Sequence, residues 1–223
     1  MTLAPHEFWQ EIYPAGVLDG DNVTGFLGHY PATLPDGRQI ALPIRVLPGD
    51  GRQAVASLIV NQASFAVQGV LADTLAMRLA EYRPDVVIGV PTLGLSLAAA
   101  VAQRLGHRRF VPLGTSRKFW YDEGLSEPMT SITSPDQIKR LYLDPRMLPL
   151  LAGRRVAVID DVASSGSTLR AIMALLLRAE IIPQVAGFAM VQGVGWQSVA
   201  SCPVEAAFAT PRLHLGADGR WRP

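Results

Sequence analysis

Two adjacent carboxylates, Asp160 and Asp161, lead through Val162 and Ala163 into a run of small hydroxylated residues, Ser164, Ser165, Gly166, Ser167 and Thr168. Carboxylates at the end of a strand can contact a polar or metal-bound ligand, and Asp161 could equally be a structural turn residue. The run behind them offers consecutive backbone N–H groups and hydroxyls that can converge on a phosphate, helped by the positive end of any helix that follows. Each charge-assisted bond of this kind contributes about 1.5–3 kcal/mol, so several can hold a phosphate without a lysine. Together these residues describe a polyanion site, whose plain counterpart is an N-cap and turn with no ligand.

A second, shorter candidate is Val90-Pro91-Thr92-Leu93-Gly94, a strand end running into a glycine turn. A third is Arg117-Lys118, two cations in a long polar stretch, able to neutralise an anionic substrate and exclude water if the loop closes. Tyr121, Asp122 and Glu123 belong either to the same lid or to plain surface. Other chemistries find no support. The Gly-x-x-x-x-Gly-Lys pattern is absent, and His6, His29, His107 and His214 are scattered without metal-ligand spacing. No serine stands in a Gly-x-Ser-x-Gly elbow, and the one cysteine, Cys202, can form no internal disulfide.

The elements that must position these residues follow from periodicity. Arg155–Asp160 reads as an apolar strand and Ser167–Arg178 as the helix after the small-residue turn. One unit earlier, Asp85–Val90 reads as a strand and Ser96–Leu105 as a helix; Asn61–Glu81 gives a further helix and Arg109–Leu113 a short strand. Strands are also expected at Gln184–Val191 and Val204–Ala209, with a short helix around Gln137–Leu143. Gly114–Pro135 is too hydrophilic to be buried and too long for a connector, so it reads as a functional loop. Nearly all-apolar strands alternating with helices argue for an α/β fold with a mainly parallel sheet covered on both faces. Adjacent strand residues point to opposite faces, so Asp160 and Asp161 can serve one ligand only if the chain leaves the sheet there. Before all this, Thr24–Tyr30 and Gln39–Val46 form a hairpin around the turn Leu34–Arg38.

Composition bounds the partners. With 20 basic and 19 acidic residues in 223, the chain has no general pull toward nucleic acid or anionic membrane, so anion recognition must be local. Only Lys118 and Lys139 are lysines. No apolar run reaches the length of a membrane span, and a reducing, cytoplasmic setting is expected.

Val156–Leu169, an apolar strand, two acidic residues and a small-residue loop ending Gly-x-Thr, resembles the diagnostic segment of the type I phosphoribosyltransferases. The resemblance implies a core over residues 61–210, a hood built from residues 1–60 with a C-terminal contribution, and a tail at 211–223. It further implies 5-phosphoribosyl 1-diphosphate as substrate with Mg2+, and transfer of the phosphoribosyl group to a nucleobase, a purine. Asp160 and Asp161 would lie by the ribose hydroxyls and the metal, bound directly or indirectly. Ala163–Thr168 would wrap the 5-phosphate, Val90–Gly94 the pyrophosphate, and Arg117-Lys118 would lie in the flexible lid. Val191, Trp196 and Phe26 are the candidate walls of the base pocket. Leu125–Thr133 after Arg117-Lys118 resembles the lid of the xanthine phosphoribosyltransferases and the related purine-operon regulators, but Gly193 and Val194 stand where the xanthine enzymes carry Glu-Lys. A homodimer is expected. The rival is a non-catalytic regulator or sensor of the same diphosphate; a haloacid-type or response-regulator-like fold would leave Ser164–Thr168 unexplained.

Overall fold

The computed structural model describes residues 3–131 and 134–223. Ile132 and Thr133 of the expected lid, like Met1 and Thr2, lie outside the described residues. Strands β1 (His29–Thr33), β2 (Gln39–Val46) and β3 (Gln53–Ala56) come first, followed by α1 (Phe65–Leu79), β4 (Val86–Gly89), α2 (Gly94–Arg104) and β5 (Val111–Pro112). Next are β6 (Ser126–Ser131), β7 (Ser134–Tyr142), the short α3 (Leu148–Leu151), β8 (Val156–Ala163), α4 (Ser167–Arg178), β9 (Pro183–Gln192), β10 (Val204–Thr210), β11 (Arg212–Leu215) and β12 (Trp221–Arg222).

The central sheet has the order β10-β9-β8-β4-β5, and every pair in it is parallel. Its strands are apolar because both faces are covered. Ser64 caps α1 by accepting from the Val67 amide, and Val67, Leu71, Leu75 and Leu79 present one buried stripe. α4 buries Leu169, Ile172, Leu175 and Leu176 in the same way. Full burial of such a side chain stabilises by about 1.5–3 kcal/mol, an upper bound because unfolded chains are partly collapsed.

The second sheet, β1-β2-β3-β11-β12, is antiparallel and occupies the segment expected as the hood, a label that refers only to its position. Phe26 and Trp221 exchange two backbone bonds of 2.8 Å, so the segment leading into β1 is tied to β12 at the far edge. This leaves little unpaired edge. Residues 211–223, read from the sequence as a tail, supply β11 and β12 to this sheet. The expected hairpin forms, with its first strand at His29–Thr33 and its turn at Leu34–Arg38. The largest apolar cluster runs from Ile40 and Leu42 of β2 through Leu71 and Leu75 to Ile159 and Val185, and a second packs the other face of the central sheet against α4.

Two expectations need correction. Gln137–Leu143 is not a helix, because β7 covers Ser134–Tyr142 and pairs antiparallel with β6. Nor is Gly114–Pro135 wholly solvated: β6 lies within it, and Leu125, Ser126 and Met129 are buried against the sheet and α4 side of the core. The cross-strand partner, rather than any alternation in the polar sequence, makes these strands. Among the described residues no helix is long and apolar enough to cross a membrane.

Candidate functional site

The site begins where β4 and β8 part. β4 and β8 stay paired up to Gly89 opposite Ile159, the Val90 amide donates to the Ile159 carbonyl at 2.9 Å, and β4 then turns away through residues 91–94. On its other side β8 remains paired with β9 through Ala163 opposite Val191. A crevice therefore opens at the carboxyl ends of two neighbouring parallel strands, the usual ligand position in open α/β sheets.

Asp160 and Asp161 line that opening. They lie inside β8, which continues three residues further than the sequence suggested, so their side chains take different environments: Asp160 is 5% exposed and Asp161 half-buried. Burial pushes the Asp160 carboxyl well above the usual carboxylate range, and the neighbouring Asp161 charge adds to it. Asp161 is also raised by burial, against the pull of hydrogen bonding from Asp160. The Asp161 amide donates to Asp160 Oδ1 at 2.9 Å and fixes that carboxyl's orientation.

Gly94, the first residue of α2, brings the second loop to the pair. A Cβ on Gly94 would fall 2.7 Å from both Cα and Oδ1 of Asp160, so only glycine lets the helix start there. The Pro91–Thr92 peptide in this loop is cis. The N-terminus of α2 thus stands beside the acidic pair, with Pro91, Thr92 and Leu93 leading into it.

The small-residue loop Ser164–Thr168 runs straight from β8 into α4. Gly166 caps the helix at φ +83°, a left-handed conformation that glycine adopts freely. Its missing Cβ also admits the turn that follows β9: a methyl there would lie 2.4 Å from Val199 Cγ2 and 3.0 Å from Trp196 Cα. Ser165 Oγ accepts from the Ser167 amide at 3.3 Å and donates to Ser167 Oγ at 3.2 Å. The loop therefore combines a helix N-terminus with clustered hydroxyls, a combination suited to a doubly charged phosphate.

The remaining expected residues divide. Val191 is half-buried at the end of β9 beside Ala163. Trp196 stands behind the Ser164–Thr168 loop, partly buried, with Nε1 donating to the Gly193 carbonyl at 3.1 Å. Phe26 is not brought to the crevice: it is 2% exposed, edge-on to Tyr30 and packed with Ala54, Leu213 and Trp221 in the hood. Its bridge to Trp221 makes it a closing residue of that sheet, with its ring spent on the core. Arg117 and Lys118 lie exposed in the loop after β5, Arg117 paired with Glu123 at 2.9 Å. That loop is anchored by Trp120, which donates to Asp144 and lies 4.4 Å beneath the Arg146 guanidinium. Arg146 in turn holds the Asp144 carboxyl down to about 2.

Sequence reasoning passed over Gln192 and Thr210. Both are buried, at the ends of β9 and β10, and Gln192 accepts from Ser164. A polar residue closing an otherwise apolar strand was the available signal.

A parallel sheet with an acidic pair and two glycine-dependent strand-to-helix loops at its carboxyl edge narrows the families that fit, and comparison with known proteins decides among them. Residues 58–191 match the phosphoribosyl transferase domain family, more than half of the chain. The chain belongs to the phosphoribosyltransferase family. Over 146 residues it is 31% identical to a probable purine biosynthesis transcriptional regulator PurR of Streptococcus pneumoniae, covering 66% of this chain and 50% of that protein. It therefore spans about half the length of these regulators. Over 153 residues it is 31% identical to an adenine phosphoribosyltransferase of a Synechococcus strain, covering 66% and 80% of the two chains. The adenine phosphoribosyltransferase of Saccharomyces cerevisiae, in a crystal with adenine and an imino-altritol bisphosphate, has the same fold. It aligns at a TM-score of 0.58 and 18% identity over 82% of this chain and 94% of that one.

The donor set at the crevice is compatible with magnesium. Among the described residues no three carboxylate, imidazole or thiolate side chains cluster as a metal cage. Magnesium is commonly held by one or two carboxylates, with substrate phosphates and water completing the octahedron; because Asp160 and Asp161 lie inside β8 with side chains on opposite faces, the pair supplies one such carboxylate to a given face.

Proposed function

We propose that this protein transfers the 5-phosphoribosyl group of 5-phosphoribosyl 1-diphosphate to a purine base and releases pyrophosphate. The observation that carries the reading is the contact of Gly94 with Asp160, which gathers both anion loops and the acidic pair at the open end of β4 and β8. In this reading the amides of Ser164–Thr168 and the hydroxyls of Ser165, Ser167 and Thr168 hold the 5-phosphate, with Ala163 at the entrance of the loop. Val90–Gly94 and the N-terminus of α2 receive the pyrophosphate. The Asp160–Asp161 pair turns one carboxylate toward the ribose hydroxyls, the other lying on the opposite face of β8. Bound magnesium would supply neutralisation of charge on the diphosphate.

The reaction breaks the C1–oxygen bond to pyrophosphate and forms a C1–nitrogen bond to the base, which gives up its ring N–H proton. Negative charge grows on the departing group, so the chain's main task is electrostatic preorganisation. Arg117 and Lys118 act by closing over that charge, and the loop's length allows the movement. Val191 and the turn through Trp196 border the base. Assembly as a homodimer belongs to the same proposal and is measured by light scattering.

Adenine is the first base to test, because adenine phosphoribosyltransferases are among the relatives. The experiment incubates the protein with the diphosphate, magnesium and a panel of purines and pyrimidines while pyrophosphate release is recorded. Release with one purine supports the transferase. Similarity to the PurR regulators favours one second reading, a sensor of the same diphosphate. Tight binding without turnover on any base would support that sensor instead.

A further inference from the structure

A buried amide joins the phosphate loop to the hood. Gln192 Nε2 donates to the Ala56 carbonyl of β3 at 2.9 Å and to the Thr210 hydroxyl at 3.4 Å, while Oε1 accepts from Ser164 Oγ at 3.2 Å. The polarity of this chain is forced. A carbonyl oxygen can only accept, so Ala56 fixes which end of the amide faces the hood. Oε1 then faces Ser164, and the Ser164 hydroxyl must donate. Thr210, having accepted from Nε2, directs its own proton to Met190 Sδ at 3.4 Å.

Two consequences follow. The single donor of the Ser164 side chain is turned toward β9, away from any phosphate in the loop, which leaves this residue's backbone amide for the anion. The first residue of the loop is also tied, through one side chain, to a hood strand that is 136 positions distant from Gln192 in sequence. We propose that Gln192 is a positioning residue for the phosphate loop: by fixing Ser164 it makes loop geometry depend on the seating of the hood. The proposal rests on the phosphate-loop reading for its functional consequence, but not for its structural one. At 5% exposure Gln192 is too buried to reach a ligand itself, so it acts through Ser164.

The test compares Gln192→Leu, Ser164→Ala and the double variant in the ligand-free full chain by hydrogen exchange. Loss of the one bond in Ser164→Ala is expected to raise exchange of amides 163–168 about tenfold, and Gln192→Leu, which loses that bond and two more, at least as much. The double variant is expected to go no further than Gln192→Leu alone, because that variant already removes the Ser164 bond together with those to Ala56 and Thr210. Unchanged exchange at 163–168 in Gln192→Leu, or additive effects in the double variant, would overturn the proposal. If Gln192→Leu fails to fold, Gln192→Glu serves: its protonated carboxyl keeps a donor for Ala56 and an acceptor for Ser164. Protection at 163–168, corrected for intrinsic exchange, should then return as pH is lowered, and pH-independent loss overturns the idea. In turnover, Gln192→Leu is expected to raise KM for the diphosphate about tenfold with kcat within about threefold. A fall in kcat at constant KM contradicts positioning. A wild-type protein without turnover would defeat the transferase reading while the exchange arm still decides the role of Gln192.

Discussion

Gly94 and Asp160 meet with no room for a methyl group between them: a Cβ on the glycine would sit 2.7 Å from the aspartate's Cα and Oδ1. The start of α2 is thereby seated directly on the acidic strand, and the positive end of a helix and a buried carboxyl come to share one crevice. Gly94→Ala forces the helix or β8 to shift. The expected cost is about 1–3 kcal/mol of stability, or roughly 2–4 °C in Tm per kcal/mol at this size. Diphosphate affinity should fall by a larger factor than stability explains. Thermal melting and titration calorimetry on the same sample check both.

Asp160 sets a pH dependence. Its carboxyl is raised by burial and by Asp161 relative to the unfolded chain, so its contribution to stability is fully present below the unfolded value of about 4 and is lost as pH rises through the folded value. The ligand-free protein should lose stability from about pH 4 toward neutrality on this account. Asp160→Asn removes the buried charge and should melt higher than the parent at pH 7 while losing turnover. Melting curves of both proteins across that range test it; an asparagine variant less stable than the parent at neutral pH would contradict the assignment.

Thr168 lies in the first turn of α4 and is half-buried in the loop. Thr168→Val keeps its shape and removes one hydroxyl. Loss of a single bond to a charged phosphate is expected to weaken diphosphate binding about 10- to 100-fold, with Tm nearly unchanged. Calorimetry with the diphosphate and magnesium gives the number.

Arg117 and Lys118 are tied to the surface only weakly. The Arg117–Glu123 pair is half-exposed on both sides, and exposed pairs contribute about 0–1 kcal/mol. Alanine at either position should leave Tm within about 2 °C. If the loop closes over the departing pyrophosphate, kcat should fall by about 10²–10³ with modest change in KM. Steady-state kinetics on each variant separate a closing role from an idle surface one.

The parallel core was legible because each strand such as Val156–Ile159 is continuously apolar and each helix carries a buried stripe. The two strand-to-helix loops of the candidate site were legible because glycine and hydroxyl residues stand where strand gives way to helix. The β6–β7 pair was not: Gln137, Lys139 and Arg140 carry no alternation, and pairing with β6 supplies what the local sequence lacks. The place of Phe26 was equally hidden, since its neighbour Trp221 is contributed by the far end of the chain. Gln192 could have been singled out as a polar residue ending an apolar strand, but its partners Ser164, Ala56 and Thr210 come from three separate segments. Long-range partnerships of this kind leave no periodic trace.

The most direct measurement is a crystal structure of the protein with 5-phosphoribosyl 1-diphosphate and magnesium. The account predicts the 5-phosphate within hydrogen-bond distance of the Ser165–Thr168 amides, and the pyrophosphate at Pro91–Gly94 beside Asp160. Phosphates bound elsewhere, for instance in the open groove lined by Gln103, His107, Arg108 and Arg109, with the β4–β8 crevice empty, would contradict it.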